Sequence, residues 1–61
     1  MNDTSAQFDA ALAEAYQYAG EDDLARALYE SAQKKAAEGE PVDTGRMQRL
    51  EQALSGEEQE Q

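Results

Sequence analysis

The sequence predicts an all-α fold, with an antiparallel helical hairpin over residues 5–19 and 22–38 and a short third helix over residues 44–54. Apolar residues recur at three- and four-residue spacing in each of these segments, which is the helical period. Twelve of the residues are alanine, the strongest helix former. Single glycines at positions 20 and 39 separate the segments, and no run rich in β-branched or aromatic residues indicates a strand.

The first helix is predicted to begin at a capping box formed by Thr4 and Gln7. Gly20 follows the segment and suits the left-handed position that commonly ends a helix. A one- or two-residue link at Gly20 requires the first two helices to be antiparallel. The inward face of the first helix is predicted to consist of Phe8, Ala11, Leu12, Ala15, Tyr16 and Ala19.

The second helix carries acidic residues at its start and lysines at its end, which is the charge order that the helix dipole favours. Glu21 or Asp22 is predicted to cap it, and Gly39 to end it. Its inward face is predicted to consist of Leu24, Ala25, Leu28, Tyr29, Ala32 and Ala36.

The third helix follows a turn at Pro41, because proline cannot continue a helix. Asp43 or Thr44 is predicted to cap it, and Ser55-Gly56 to end it. We expect one small domain over residues 1–56 and a disordered acidic tail over residues 57–61. The helix should fold over the open side of the hairpin with Met47, Leu50, Ala53 and Leu54 inward.

A core built from these residues is thin. Alanine supplies half of the apolar residues in this 61-residue chain, and it buries little area. The chain has no cysteine, so no disulfide adds stability. We therefore expect marginal stability, or support from a partner or from self-association as a homodimer.

A net charge of −9 makes binding to nucleic acid or to anionic membranes unfavourable. Solubility alone explains such a charge. An alternative is that the acids imitate DNA phosphates and inhibit a DNA- or RNA-binding protein. No segment is apolar enough for a membrane span or a signal peptide, so we expect a cytoplasmic location.

The residue types needed for most catalysis are missing. The chain has no histidine and no cysteine, which excludes the commonest general base, zinc ligand and thiolate nucleophile. Its glycines stand singly and form no phosphate-binding loop. The acidic cluster at residues 21–23 lacks the alternation of a calcium loop. We expect neither an enzyme, nor a cofactor, nor a metal site.

Small and large residues alternate along the hairpin in a pattern formed by Leu12-Ala13-Glu14-Ala15-Tyr16, Gly20, Ala25, Tyr29 and Ala32. Over residues 7–37 this pattern resembles a single tetratricopeptide repeat. Asp9 stands where that family often has tryptophan, and Ala37 where it has a closing proline.

The resemblance implies an interaction module, either an adaptor or a regulatory subunit, that binds another protein through the first helix. An alanine-rich groove that accepts a partner helix is a second possible binding surface. Tyr18 lies off the main stripe, and the sequence leaves open whether it is exposed or packs on the third helix. The predicted partner-binding positions are Gln7, Ala10, Glu14, Gln17 and Tyr18.

Overall fold

A computed structural model describes residues 4–58 of the chain. Three α-helices account for most of them: α1 covers Ala6–Tyr18, α2 covers Asp22–Ala37 and α3 covers Thr44–Glu58. No strand occurs within these residues. The predicted all-α class and the order of the helices are therefore confirmed.

Ser5 caps α1, in place of the predicted Thr4. The Ser5 hydroxyl accepts a hydrogen bond from the Phe8 N–H at 3.1 Å, and the extended backbone of Ser5 suits this position. The Thr4 hydroxyl donates to the Asp9 carboxylate instead. The Gln7 side chain accepts from the Asp43 N–H at 2.9 Å. Both partners of the predicted capping box are thus used elsewhere, and that prediction was wrong.

Two glycines end the first two helices, as predicted. Gly20 has φ +84° and Gly39 has φ +108°, in the left-handed region that a β-carbon would strain. The N–H of the next residue donates to the carbonyl five residues back, at 2.9 Å for Glu21 and 3.1 Å for Glu40. Each end is therefore a Schellman motif, which fixes where the chain turns.

Asp43 caps α3 by accepting the Arg46 N–H at 3.2 Å. The helix then continues through Ser55 and Gly56, so the predicted end at these residues was wrong. A glycine inside a helix costs about 1 kcal/mol, which is not enough to stop it. Residues 57 and 58 of the predicted disordered tail are helical, and residues 59–61 lie outside the described residues.

The hairpin closes through small side chains. α1 and α2 pack along their lengths, and α3 lies mainly against α1. Alanine permits such close approach, because its β-carbon adds little to the separation of the helix axes. Leu28, Tyr29, Val42 and Met47 are half-buried around this core. The fully buried apolar residues are Ala6, Ala10, Ala13, Ala25, Ala32, Leu50 and Leu54.

The apolar stripe predicted for the inside of α1 lies mostly outside. Phe8 is 51 % exposed, and Ala11, Ala15 and Ala19 are also exposed. Alanines occur on both faces of α1, so their spacing did not distinguish the two faces. In α2 the predicted stripe was correct apart from Leu24, which is 48 % exposed. The buried side of α1 consists of Ala6, Asp9, Ala10 and Ala13.

Candidate functional site

The binding face predicted on α1 lies partly on the side that α3 occupies, where Gln7 and Glu14 make contacts. Ala10 is fully buried, so the expectation that this residue faces outward was wrong. Gln17 is half-buried, and Gln7 is exposed but bonded to the start of α3. Tyr18 is 77 % exposed, which decides the question that the sequence left open. The five predicted positions therefore do not form one open surface.

Glu14 holds α3 in place. Its Oε1 lies 3.0 Å from the Arg46 Nε, an ion pair in which the Nε–H is not aligned for a hydrogen bond. Its Oε2 accepts a 3.4 Å hydrogen bond from the Arg49 Nη2. Because two cations of α3 share this carboxylate, Glu14 joins the helices and is not free to bind a partner.

A buried carboxylate, Asp9, joins α1 to α2. It is only 2 % exposed. Its Oδ2 accepts hydrogen bonds from the Ser31 hydroxyl and the Lys35 Nζ, each at 2.8 Å. Its Oδ1 accepts from the Thr4 hydroxyl. Burial alone would raise the pKa of Asp9, but the hydrogen bonds from Lys35, Thr4 and Ser31 outweigh it and lower the pKa.

A polar cavity of about 480 Å³ lies beside this network, at the start of α1. Most of its polar side chains are already bonded within the fold. The Glu40 carboxylate accepts the Ala6 N–H at 2.8 Å, and the Lys35 ammonium bonds both Thr4 and Asp9. The side chains that line this cavity therefore stabilise the fold, and we do not regard it as a binding site.

An open groove separates α2 from α3. Its volume is about 480 Å³, and apolar atoms make up most of its surface. The Tyr29 hydroxyl accepts a 3.2 Å hydrogen bond from the Gln33 Nε2 at its edge. Burial, together with the negative charge of Glu51, raises the pKa of Tyr29. The residues lining this α2–α3 groove are Tyr29, Gln33, Ala36, Ala37, Val42, Thr44, Met47, Gln48 and Glu51.

A second apolar surface runs along the outside of α1. It consists of Phe8, Ala11, Ala15 and Tyr18, all of them exposed, and we name it the outer stripe. The helix contains only two charged residues, Asp9 and Glu14, and both are bonded within the fold. The exposed surface of α1 therefore carries no charge.

Several acidic side chains of the described residues make contacts within the fold. Four of them serve the fold: Asp9 joins two helices, Glu14 binds α3, Glu40 bonds the start of α1 and Asp43 caps α3. These four are not free to imitate phosphates. Within residues 4–58, no group of three acids is placed to hold a metal ion.

The described helices show no candidate for a membrane span, since none is both long and apolar enough. The chain matches no family model, no curated protein and no solved structure. Its two apolar surfaces, the α2–α3 groove and the outer stripe, are the features on which a function can be argued.

Sequence reasoning expected an alanine-rich groove, but it assigned only three of the residues that line this groove to inward faces. Tyr29, Ala36 and Met47 all lie on predicted inward faces. What the sequence did not show is that α3 packs mainly on α1 and leaves these residues partly uncovered. Arg46 and Arg49 lie one helical turn apart on α3, but nothing in the sequence pairs them with Glu14 on α1, so the contact that draws α3 toward α1 could not be predicted.

Proposed function

We propose that this protein is an interaction module that binds a helix of a partner protein in the α2–α3 groove. The observation that carries the proposal is an open groove with an apolar floor in a chain whose core is thin. Tyr29, Val42 and Met47 are large, half-buried side chains that a partner could cover. Laying an amphipathic helix into such a groove is a common mode of peptide recognition.

The charge of the groove favours a basic partner helix. Glu51 lines the groove, and no lysine or arginine does. The whole chain carries a net charge of −9, which attracts cationic segments over a distance of about 10 Å at moderate salt. A helix with leucines on one face and lysines on the other therefore fits both the floor and the rim.

The dimensions of the groove limit the partner to a short helix. α2 has 16 residues and is therefore about 24 Å long. A contact of this length is at the small end of specific interfaces, so we expect a dissociation constant in the range of about 1–100 μM. Such an affinity is suited to an adaptor or a regulatory subunit that binds reversibly.

The resemblance of the hairpin to a tetratricopeptide repeat, which is an interaction repeat, agrees with this class of function. The binding surface proposed here differs from the one that the resemblance implied. The first-helix face is covered where Glu14 meets Arg46 and Arg49. The groove on the other side of α3 is open.

A synthetic peptide can test the groove directly. The probe is a helix of about 18 residues with leucines at helical spacing on one face and lysines on the other. Titration into the isotope-labelled protein should shift the amide signals of residues 29–37 and 42–51, and calorimetry should give the affinity. A peptide with glutamate in place of each lysine is the control, and it should bind far more weakly.

Two matched charge reversals distinguish the groove from general attraction. Glu51→Lys changes the rim, and Glu30→Lys makes the same charge change at an exposed position of α2 outside the groove. We expect Glu51→Lys to weaken the binding of the basic peptide about fivefold, or about 1 kcal/mol. Glu30→Lys should weaken that binding much less. Equal weakening by both variants would contradict the proposal. That result is the one that a nucleic-acid mimic, acting through all of its exposed acids, would give.

A further inference from the structure

The outer stripe of α1 is a charge-free surface on a highly charged protein. Charged residues make up 31 % of the chain. On α1, however, the carboxylates of Asp9 and Glu14 are turned into contacts with α2 and α3. Phe8 and Tyr18, two of the four aromatic residues of the chain, are exposed on this helix instead. Large exposed apolar side chains in a continuous patch indicate an interaction surface.

The spacing of the outer stripe is that of a helix–helix seam. Phe8, Ala11, Ala15 and Tyr18 follow one another at intervals of three, four and three residues. These intervals are those of the a and d positions of a heptad, which form the contact line between two paired helices. The large side chains stand at the two ends of the stripe and the alanines in the middle.

We infer that the outer stripe binds a second copy of this chain, with the two α1 helices antiparallel. A twofold axis near residue 13 would place Phe8 of each copy beside Tyr18 of the other. Ala11 would then lie beside Ala15, where small side chains let the helix backbones approach closely. Each end of the contact would be an aromatic pair, an arrangement that adds stability beyond the burial of area.

Charge selects a second copy as the occupant. Two chains of net charge −9 repel each other, so association is favoured where neither copy presents acids. The exposed surface of α1 satisfies this condition. In contrast, the exposed surfaces of α2 and α3 carry Asp23, Glu30 and Glu51. A basic partner gains nothing from a surface without charge, and it fits the α2–α3 groove better.

The size of the surface sets the strength of the dimer. α1 has 13 residues and is about 20 Å long and about 10 Å wide. A contact along it buries several hundred Å² per copy, which is at the low end of specific interfaces. We therefore expect a reversible dimer with a dissociation constant in the range of about 10–100 μM. Because salt screens the repulsion between the two copies, added salt should strengthen it.

Sedimentation equilibrium of the full chain tests the inference. The apparent mass should rise from 6.7 kDa toward twice that value as the protein concentration increases from about 5 μM to about 1 mM. The dimer fraction should increase again when sodium chloride is raised about tenfold. A mass that stays at the monomer value throughout this range would overturn the inference.

Two matched variants locate the interface. Ala15→Glu places a charge in the middle of the outer stripe, and Ala27→Glu makes the same change at an exposed position on α2. Glutamate is a good helix former, so both variants should keep the helicity of the original chain in circular dichroism. We expect Ala15→Glu to weaken the dimer at least tenfold and Ala27→Glu to weaken it less than threefold. Dimerisation of Ala15→Glu at the original strength would show that the outer stripe is not the interface.

Discussion

The two sides of α2 differ in how closely a neighbouring helix approaches. Toward α1, the contact runs along the length of the helix and is lined by fully buried alanines, including Ala13, Ala25 and Ala32. Toward α3, the contact is slight, and the larger Tyr29 and Met47 border an open groove. One side of the same helix thus forms the core, while the other side borders the open groove in which we propose that a partner helix binds.

Side-chain size and charge together explain the difference. Alanines bring the axes of α1 and α2 close enough for Asp9 to reach both Ser31 and Lys35 on the facing helix. α3 has its ion pairs with Glu14 on α1, so they draw it toward that helix and away from α2. The same alanine content that leaves little apolar area to bury therefore lets α1 and α2 pack closely. The positions of the charges decide where the third helix lies.

The largest expected effect is on the free energy of unfolding, when one alanine of the α1–α2 contact and one alanine of the groove are each replaced by leucine. Ala13 is fully buried, whereas Ala37 is exposed at the edge of the groove. Ala13→Leu should lower the free energy of unfolding by about 2–3 kcal/mol, because three additional carbons overpack a close contact. Ala37→Leu should change it by less than about 0.5 kcal/mol, because its side chain has open space. Urea denaturation followed by circular dichroism measures both values.

Equal stability losses in the two variants would contradict the comparison. They would show that the α2–α3 side is packed as closely as the α1–α2 side. Ala37→Leu has a further use, because it should alter the affinity for the basic peptide probe while leaving the fold intact.

Asp9→Asn should have the next largest effect. The asparagine amide would turn a donor toward groups that already donate, since both carboxylate oxygens of Asp9 accept hydrogen bonds. We expect a loss of about 1–2 kcal/mol in the free energy of unfolding. Glu30→Gln, the corresponding change at an exposed acid, should have an effect close to zero.

The effect of Asp9→Asn should depend on pH in a defined direction. The folded-state pKa of Asp9 lies below its ordinary value of 3.8, so the ionised form stabilises the fold. That contribution is fully present above the ordinary pKa and is lost as the pH falls through the folded-state pKa. The stability difference between the two proteins should therefore be constant near pH 7 and should shrink on acidification below about pH 4. A difference that grows on acidification would contradict the assigned direction.

The sequence predicted where the helices lie, but it did not predict correctly which of their faces are buried. Gly20 and Gly39 predicted both turns correctly, since their left-handed backbone is a local property. Ser55-Gly56 did not end α3, because a glycine inside a helix costs only about 1 kcal/mol, and the helix continues to Glu58. The inward face of α1 was misassigned because alanine occurs around the whole helix, and because the buried side includes Asp9, a residue type that is seldom buried.

The candidate site depended on long-range contacts that spacing does not reveal. Tyr29 and Met47 could be recognised as apolar from the sequence, but their partial exposure follows from the pairing of Glu14 with Arg46 and Arg49. Tyr18 could be recognised as lying off the main stripe. The other residues of the outer stripe could not be recognised as its neighbours, because Phe8 and the two alanines had been assigned inward.

The smallest expected effect concerns the pKa of Tyr29 at the edge of the groove. Burial raises this pKa above the ordinary value of 10.0, and the charge of Glu51 raises it further. Glu51→Gln should lower the pKa of Tyr29 but leave it above 10.0, because the larger cause, burial, remains. Titration of the ring carbon signal of Tyr29 by NMR measures it separately from Tyr16 and Tyr18. Glu30→Gln is the control, since Glu30 follows Tyr29 in sequence but does not line the groove. A larger decrease with Glu30→Gln than with Glu51→Gln would place the tyrosine hydroxyl outside the groove, and the basic partner helix would then lose the anchor proposed for it.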